Sequence, residues 1–407
     1  MHDLMGSPFF IIGNSRALHG GKVATYLVVP DDRRAADETN NVRRRLTAGA
    51  PACALLSEQG PPRTLVLDSQ GDLYENSRLV KWVRDLVAAC TTDAEDVENW
   101  IPLFYVRPSE GGKTYSLFGQ VRFNGQDALF LRLAEEETES AGGSWDDDVR
   151  TLFSRACRLQ DAGARALGNP RGTYRRLLPD RELETKYQLL APVDLWGITS
   201  ECHARVARGK LDGFTVEFGD ELKRFDALNT MYEITGPPEH RGYMSFSPTA
   251  AGPWIIKKKW FTSDGYDRGE RIWRTDELAA GTFEGELNEL GLDGRRLGAF
   301  RRVSYEAHLE SGRTGHVYTI VADESRVEGD GEQPTLRQCE VEYVHTRSYL
   351  PPNEESITPE LERVTEFLGG VLTDLGIRHE STFYSKLSFM RDATRPSALD
   401  GVTVPSC

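Results

Sequence analysis

The sequence predicts an α+β protein in two parts, an α+β N-terminal part followed by an antiparallel barrel or sandwich. Three observations predict it. Before about residue 170, strand-like runs mix with two stretches of helical apolar spacing. From Glu182 onward, short strand-like runs alternate with Gly/Pro turns, the pattern of many short antiparallel strands. Two of those later runs, around Glu182 and Glu340, place pairs of carboxylates on a single strand face.

In the first part, strands are expected at 24–30, 53–58, 64–69, 103–107, 115–123 and 127–134. Asn124-Gly125 between the last two is a strong hairpin signal. A helix is expected over 77–90, because Leu79, Val83, Leu86, Val87 and Cys90 recur at helical spacing. The acidic, Gly/Ser-bearing stretch 135–148 reads as a loop. Ser144 or Asp146 is expected to cap a helix to about residue 166, with Val149, Leu152, Phe153, Ala156 and Leu159 on its buried face. Gly168-Asn169-Pro170 would end it. The glycine-bearing stretch 13–22 lacks the spacing of a phosphate-binding loop and reads as a turn before a strand.

Residues 1–175 are therefore expected to form one domain of unknown role, 181–392 a second domain and 393–407 a tail. Strands of the second are expected at 182–190, 213–218, 243–246, 254–261, 300–309, 317–322 and 339–345, followed by a helix over 359–375.

Charge in the second part is arranged by strand alternation. Glu182, Glu184 and Lys186 project together, as do Glu340 and Glu342. Carboxylates crowded on one face repel unless a cation sits between them, and hard oxygen ligands favour Mg²⁺ or Mn²⁺. The alternative is a solvated outer face. Lys257 and Lys259 share a face between Trp254 and Trp260, where simple solvation fits poorly. Arg302, Ser304 and Glu306 share another, with Arg302 expected to face a polar interior. Asp323 either adds a carboxylate or is a turn residue. Tyr384-Ser385-Lys386 means little alone.

Composition limits the function classes. At 407 residues, 39% hydrophobic and 28% charged, the chain suits globular structure. A net charge of −14 makes it a poor non-specific binder of nucleic acid or anionic membrane. No nucleic-acid or membrane partner is expected, whereas a homodimer is left open. The six cysteines have neither zinc-site nor disulfide-framework spacing, which fits reduced thiols in the cytoplasm. The opening residues do not read as a signal peptide, and no apolar run reaches the ~18 residues a membrane helix needs. The eight histidines are scattered, with Cys202-His203 reading as structural.

Glu182–Lys186 has the ExExK form that opens the CYTH superfamily, also called triphosphate tunnel metalloenzymes. The later order is similar to that family as well: Gly252, Trp254 and Lys257/Lys259, then Arg301/Arg302, Asp323, Glu340/Glu342, a helix and Ser385-Lys386. The resemblance covers about residues 181–390. It implies an eight-stranded antiparallel β tunnel with flanking helices. It places Glu182, Glu184 and Lys186 at the catalytic centre, and Glu182, Glu184, Asp323, Glu340 and Glu342 on Mg²⁺ or Mn²⁺. It also implies that Lys186, Lys257, Lys259, Arg302 and Lys386 grip a phosphorylated substrate.

One departure is that the strand before the lysines reads Tyr243-Met244-Ser245-Phe246-Ser247, without the arginines many members carry there. Arg274 is the candidate to compensate. The expected activity is metal-dependent hydrolysis of a triphosphate or related organic phosphate. The alternatives are a class IV adenylate cyclase-like release of pyrophosphate and non-catalytic binding of a phosphate ligand.

Overall fold

The computed structural model describes residues 7–19, 25–31, 33, 38–48, 52–57, 60–67, 71–90, 97–109, 114–134, 138–139, 144–169, 171–219 and 221–395. The first of two large sheets comprises β1 (Phe9–Gly13), β2 (Thr25–Pro30), β3 (Asn41–Arg45), β4 (Ala52–Ser57), β5 (Arg63–Val66), β6 (Ile101–Pro108), β7 (Thr114–Asn124) and β8 (Asp127–Arg132). Their order is β3-β8-β7-β6-β1-β2-β4-β5, every neighbour antiparallel. Helices α1 (Lys81–Ala88) and α2 (Trp145–Ala162) cover its two faces. Phe9 and Ile11 pack on the α2 side, Phe10 and Ile12 on the α1 side.

Burial on both faces removes polar alternation from β1, which is why no strand is expected there from pattern alone. β3 escapes for another reason. Its arginine run NVRRR reads as surface, yet Arg44 is buried against Asp31 at 2.9 Å and Glu38 at 2.5 Å. The helix expected over 77–90 starts only at Lys81, since Asn76 and Ser77 adopt left-handed turns (φ 51° and 65°) joining Tyr74–Glu75 to Arg78–Leu79. α2 stops at Ala162, and a short helix, Ala164–Leu167, follows. Ser144 precedes α2 without capping it, because its hydroxyl turns to Asp146 (2.8 Å) and Asp147 (2.7 Å). Half of the acidic stretch 135–148 lies outside the described residues, as do 20–24 and 396–407. Within that stretch Thr138–Glu139 pairs with β7 as a short strand.

The second sheet is a closed antiparallel barrel of eight strands. They are β9 (Arg181–Leu189), β10 (Leu222–Gly236), β11 (Gly242–Pro248), β12 (Trp254–Trp260), β13 (Asp267–Thr275), β14 (Asp293–Ser311), β15 (His316–Val327) and β16 (Thr335–Arg347). They run β16-β15-β14-β10-β11-β12-β13-β9, and β9 pairs back to β16 (Glu184 opposite Glu342) to close the ring. Two of these strands, β10 and β13, were not expected. The run 213–218 proves to be a short addition, Phe214–Val216, on β14. β15 continues to Val327, so Asp323 is a mid-strand residue, not a turn.

The barrel is inside out relative to an ordinary core. Its outward side chains Leu183, Ile320, Cys339 and Val341 pack under α3 (Leu195–Ala207) and α5 (Ile357–Asp374). Tyr232, Met244 and Ile256 pack under α4 (Phe283–Glu289). The inward faces carry mostly polar and charged groups, with an apolar patch where α6 closes on them. Helix α6 (Lys386–Ala393), capped by Ser385 accepting from Ser388 N at 3.0 Å, packs Leu387, Phe389 and Met390 on Met231, Tyr243, Phe300 and Leu336. Among the described residues no helix is long and apolar enough to cross a membrane. Cys53, Cys90, Cys157, Cys202 and Cys339 are free.

Candidate functional site: a charged lumen

Alternation brings the inward residues of β9, β12–β16 and α6 into one lumen. Glu182, Glu184 and Lys186 line β9, Lys257 and Lys259 β12, Arg268 and Glu270 β13, Arg302, Ser304 and Glu306 β14, Asp323 β15, and Glu340 and Glu342 β16. Lys386 enters from the first turn of α6.

Most lumen carboxylates are already neutralised by protein cations. Glu184 meets Lys186 at 2.9 Å and Arg268 at 2.6 Å. Glu340 meets Lys186 and Lys386, both at 2.8 Å, with Arg302 at 3.5 Å. Asp323 meets Arg302 at 2.6 Å and Lys386 at 2.9 Å. Burial opposes charge on Glu184, but Lys186, Lys259 and Arg268 outweigh it and hold its pKa at about 2. The same contest leaves Glu340 well below the usual carboxylate range, with Lys186, Lys386 and Arg302 winning over burial. Burial lowers Lys386, and the attraction of Asp323 and Glu340 only partly offsets it.

A second group behaves differently. Carboxylate oxygens of Glu182, Glu270 and Glu342 lie within 4.8 Å of one another. Lys259 bonds both oxygens of Glu182, the nearer contact being very short, and Lys257 meets Glu270 at 2.9 Å. No donor among the described residues bonds the Glu342 carboxylate. Burial, then repulsion from Glu182 and Glu270, raises Glu342 well above its ordinary value. Burial and Glu184 raise Glu182. Lys257 and Lys259 outweigh burial at Glu270 and hold it at about 2. Three converging hard oxygen donors, one of them without a protein partner, fit a small divalent cation such as Mg²⁺ or Mn²⁺.

The expected metal set Glu182, Glu184, Asp323, Glu340 and Glu342 is therefore divided by the fold. Glu182 and Glu342 join the converging group, whereas Glu184, Glu340 and Asp323 sit in ion pairs. Glu270, absent from that set, completes the group. Its signal was the pair Arg268 and Glu270 two residues apart, beyond the lysine strand and a Ser263-Asp264-Gly265 turn. Arg274 lies on the lumen register opposite Ile255 but is exposed, and makes no ion pair among the described residues. Around the lumen wall, Ser304, Thr319, Ser325 and Gln338 are 5% exposed or less. The hydroxyls of these residues and Oε1 of Gln338 meet no protein partner. Phe225 (48% exposed) and Ile272 (42%) occupy lumen registers, so the lumen is open to solvent beside them.

No family model matches the chain, and no curated protein matches it significantly. Among solved structures, the S. pombe Pct1 RNA triphosphatase in complex with the Spt5 CTD aligns at 8% identity over 49% of this chain and 84% of that one, TM-score 0.19. The di-domain ARO/CYC BexL from the BE-7585A biosynthetic pathway aligns at 10% over 88% and 90%, TM-score 0.13. The quaternary ammonium Rieske monooxygenase CntA aligns at 9% over 92% and 78%, TM-score 0.15. TM-scores this low carry no weight for fold or chemistry, which rest here on strand pairing and on the side chains of the lumen.

Proposed function

We propose that the barrel is a metal-dependent phosphohydrolase acting on a triphosphate or related organic phosphate, in keeping with its resemblance to the CYTH superfamily. The observation that carries this reading is the convergence of Glu182, Glu270 and Glu342 beside Lys257 and Lys259 inside a closed barrel. Those glutamates would hold Mg²⁺ or Mn²⁺, which neutralises phosphate charge and lowers the pKa of bound water. Lys186, Lys257, Lys259, Arg302 and Lys386 would take phosphate oxygens in exchange for their carboxylate partners, with Arg274 reaching the outer part of the substrate. Phosphoryl transfer needs mainly this positioning and charge stabilisation.

The test is a phosphate-release screen over tripolyphosphate, nucleoside triphosphates and organic diphosphates with Mg²⁺ and Mn²⁺. Glu342→Gln and Glu182→Gln should each lower kcat by about 100-fold or more while the protein stays folded. Near wild-type rates in both would sink the assignment. The ion pairs that occupy Glu184, Glu340 and Asp323 favour a second, non-catalytic reading, a phosphate receptor. Tight binding with no turnover under either metal would select it. Pyrophosphate with a cyclic nucleotide as products would select cyclase chemistry instead.

A further inference from the structure

The inward face of β14 continues past Glu306 to His308 and Glu310. His308 Nδ1 lies 3.1 Å from Oε2 of Glu217, a residue with no solvent exposure. His308 Nε2 lies 3.7 Å from Oε2 of Glu306, which borders the lumen. Glu217 is fixed from three further sides: the Tyr174 hydroxyl donates at 2.8 Å, Arg347 at 3.1 Å, and His345 Nε2 stands at 3.2 Å. Burial opposes charge on Glu217, but its bonds to His308, His345 and Tyr174 win and hold it far below the carboxylate range. An ionised carboxylate only accepts, so His308 carries its proton on Nδ1 and aims Nε2 at Glu306.

We propose that Glu306 is the proton acceptor for chemistry in the lumen, and that His308, oriented by Glu217, is the positioning residue that holds Glu306 and carries its proton away. The inference rests on the hydrolase reading above. Glu306 differs from Glu184, Glu340 and Asp323 in making its close contact with a histidine. Lys223 lies opposite it on β10 and Arg302 lies nearby, but among the described residues neither forms an ion pair with it, whereas each of those three pairs with two or more cations. As the water oxygen bonds to the terminal phosphorus, the bridging P–O bond breaks with its electron pair on the leaving phosphate. The proton of that water passes to Glu306 Oε2, then to Nε2 of neutral His308, which is buried and returns it through Glu306 to lumen water once the products leave. Among the described residues, the groups facing His308 include Glu306 and Glu310 on its own strand, Glu217, Lys223 on β10, His345 and Arg347 on β16, and Tyr174. Burial favours neutral His308, but Glu217 and Glu306 outweigh it and raise its pKa. Activity should therefore rise with pH as His308 loses its proton.

The experiment follows Mg²⁺-tripolyphosphate hydrolysis across pH in wild type, His308→Gln, Glu217→Gln and Glu306→Gln. His308→Gln is expected to lower kcat by about 100-fold, leave KM within about twofold and erase the acidic limb of the kcat profile. Glu306→Gln, at a partly exposed site, carries the test should His308→Gln not fold. An unchanged acidic limb and kcat in these variants would overturn the proposal. In parallel, nitrogen NMR of the imidazole should show the His308 midpoint shifting down in Glu306→Gln and up on adding Mg²⁺-tripolyphosphate. If no triphosphate is turned over, the hydrolase reading fails and this titration alone decides the pairing. A midpoint indifferent to both changes would overturn it.

Discussion

At the scale of single residues, two glutamates two strand positions apart meet opposite fates. Glu182 is driven toward its protonated form by burial and then by Glu184, whereas Glu184 is held ionised against burial by Lys186, Lys259 and Arg268. The side chains of Arg268 and Glu184 are both 1% exposed, so the pair is one that water cannot replace. Breaking a buried pair costs about 3–5 kcal/mol when it leaves the charge bare. Glu184 without Arg268 would keep, among the described residues, only the ion pair with Lys186 at 2.9 Å, which places the loss at the lower end of that range. Arg268→Met is expected to cost about that much in urea unfolding at pH 7. A cost under about 1 kcal/mol would mean that Lys186, not Arg268, compensates Glu184.

At the scale of elements, α6 supplies both a lysine to the lumen and an apolar seal. Leu387 is 1% exposed and packs with Met231, Phe300 and Leu336, next to the Lys386 that holds Asp323 and Glu340. Leu387→Ala should cost about 2–5 kcal/mol. It should also speed amide exchange in β16 near Gln338, whose Nε2 donates to Tyr384 O at 2.9 Å. Wild-type exchange there would show that α6 does not brace the barrel.

Elements with an apolar outer face were legible in the sequence. β12 announces itself through Trp254, Ile256 and Trp260, and β16 through Val341 between Glu340 and Glu342. β13 (DRGERIWRT) and the exposed first half of β10 were not, because a strand with a lumen on one side and solvent on the other has no apolar alternation, and the second half of β10, Met231 to Ile234, is buried on both faces. Asp, Gly, Arg and Glu also argue against a strand by propensity. For that reason Arg268 and Glu270 went unnoticed while the ExE pairs stood out. Glu217 gave no signal, since its partners His308, His345, Tyr174 and Arg347 come from distant segments that only the closed barrel brings together.

At the scale of the whole molecule, the tip joining β14 to β15 is clamped by the first sheet. Asn40 N and Asn41 N donate to Gly312 O at 3.0 and 3.1 Å, and Asn40 Nδ2 donates to Arg347 O at 2.8 Å. At the centre of this junction Asn41 Nδ2 reaches Glu310 Oε1 at 2.6 Å, and Arg347 Nε reaches the same oxygen at 2.9 Å. Burial raises the Glu310 pKa to about 7, with Arg347 opposing and Glu217 adding to the rise. A carboxyl raised on folding holds its proton longer in the native state than in the unfolded chain. Its stabilisation is complete below the ordinary glutamate range and is lost as pH climbs through about 7. The raised His308 works in the same direction. The protein should therefore lose stability between pH 5 and 8, on the order of 2 kcal/mol of it from Glu310. Glu310→Gln keeps the shape and the acceptor without the titration. It should match wild type in urea at pH 5 and exceed it at pH 8, leaving the shallower slope due to His308 and the raised carboxyls Glu182 and Glu342. If both proteins showed the same slope, Glu310 would be ionised throughout, and the junction between the sheets would be an ordinary ion pair with Arg347.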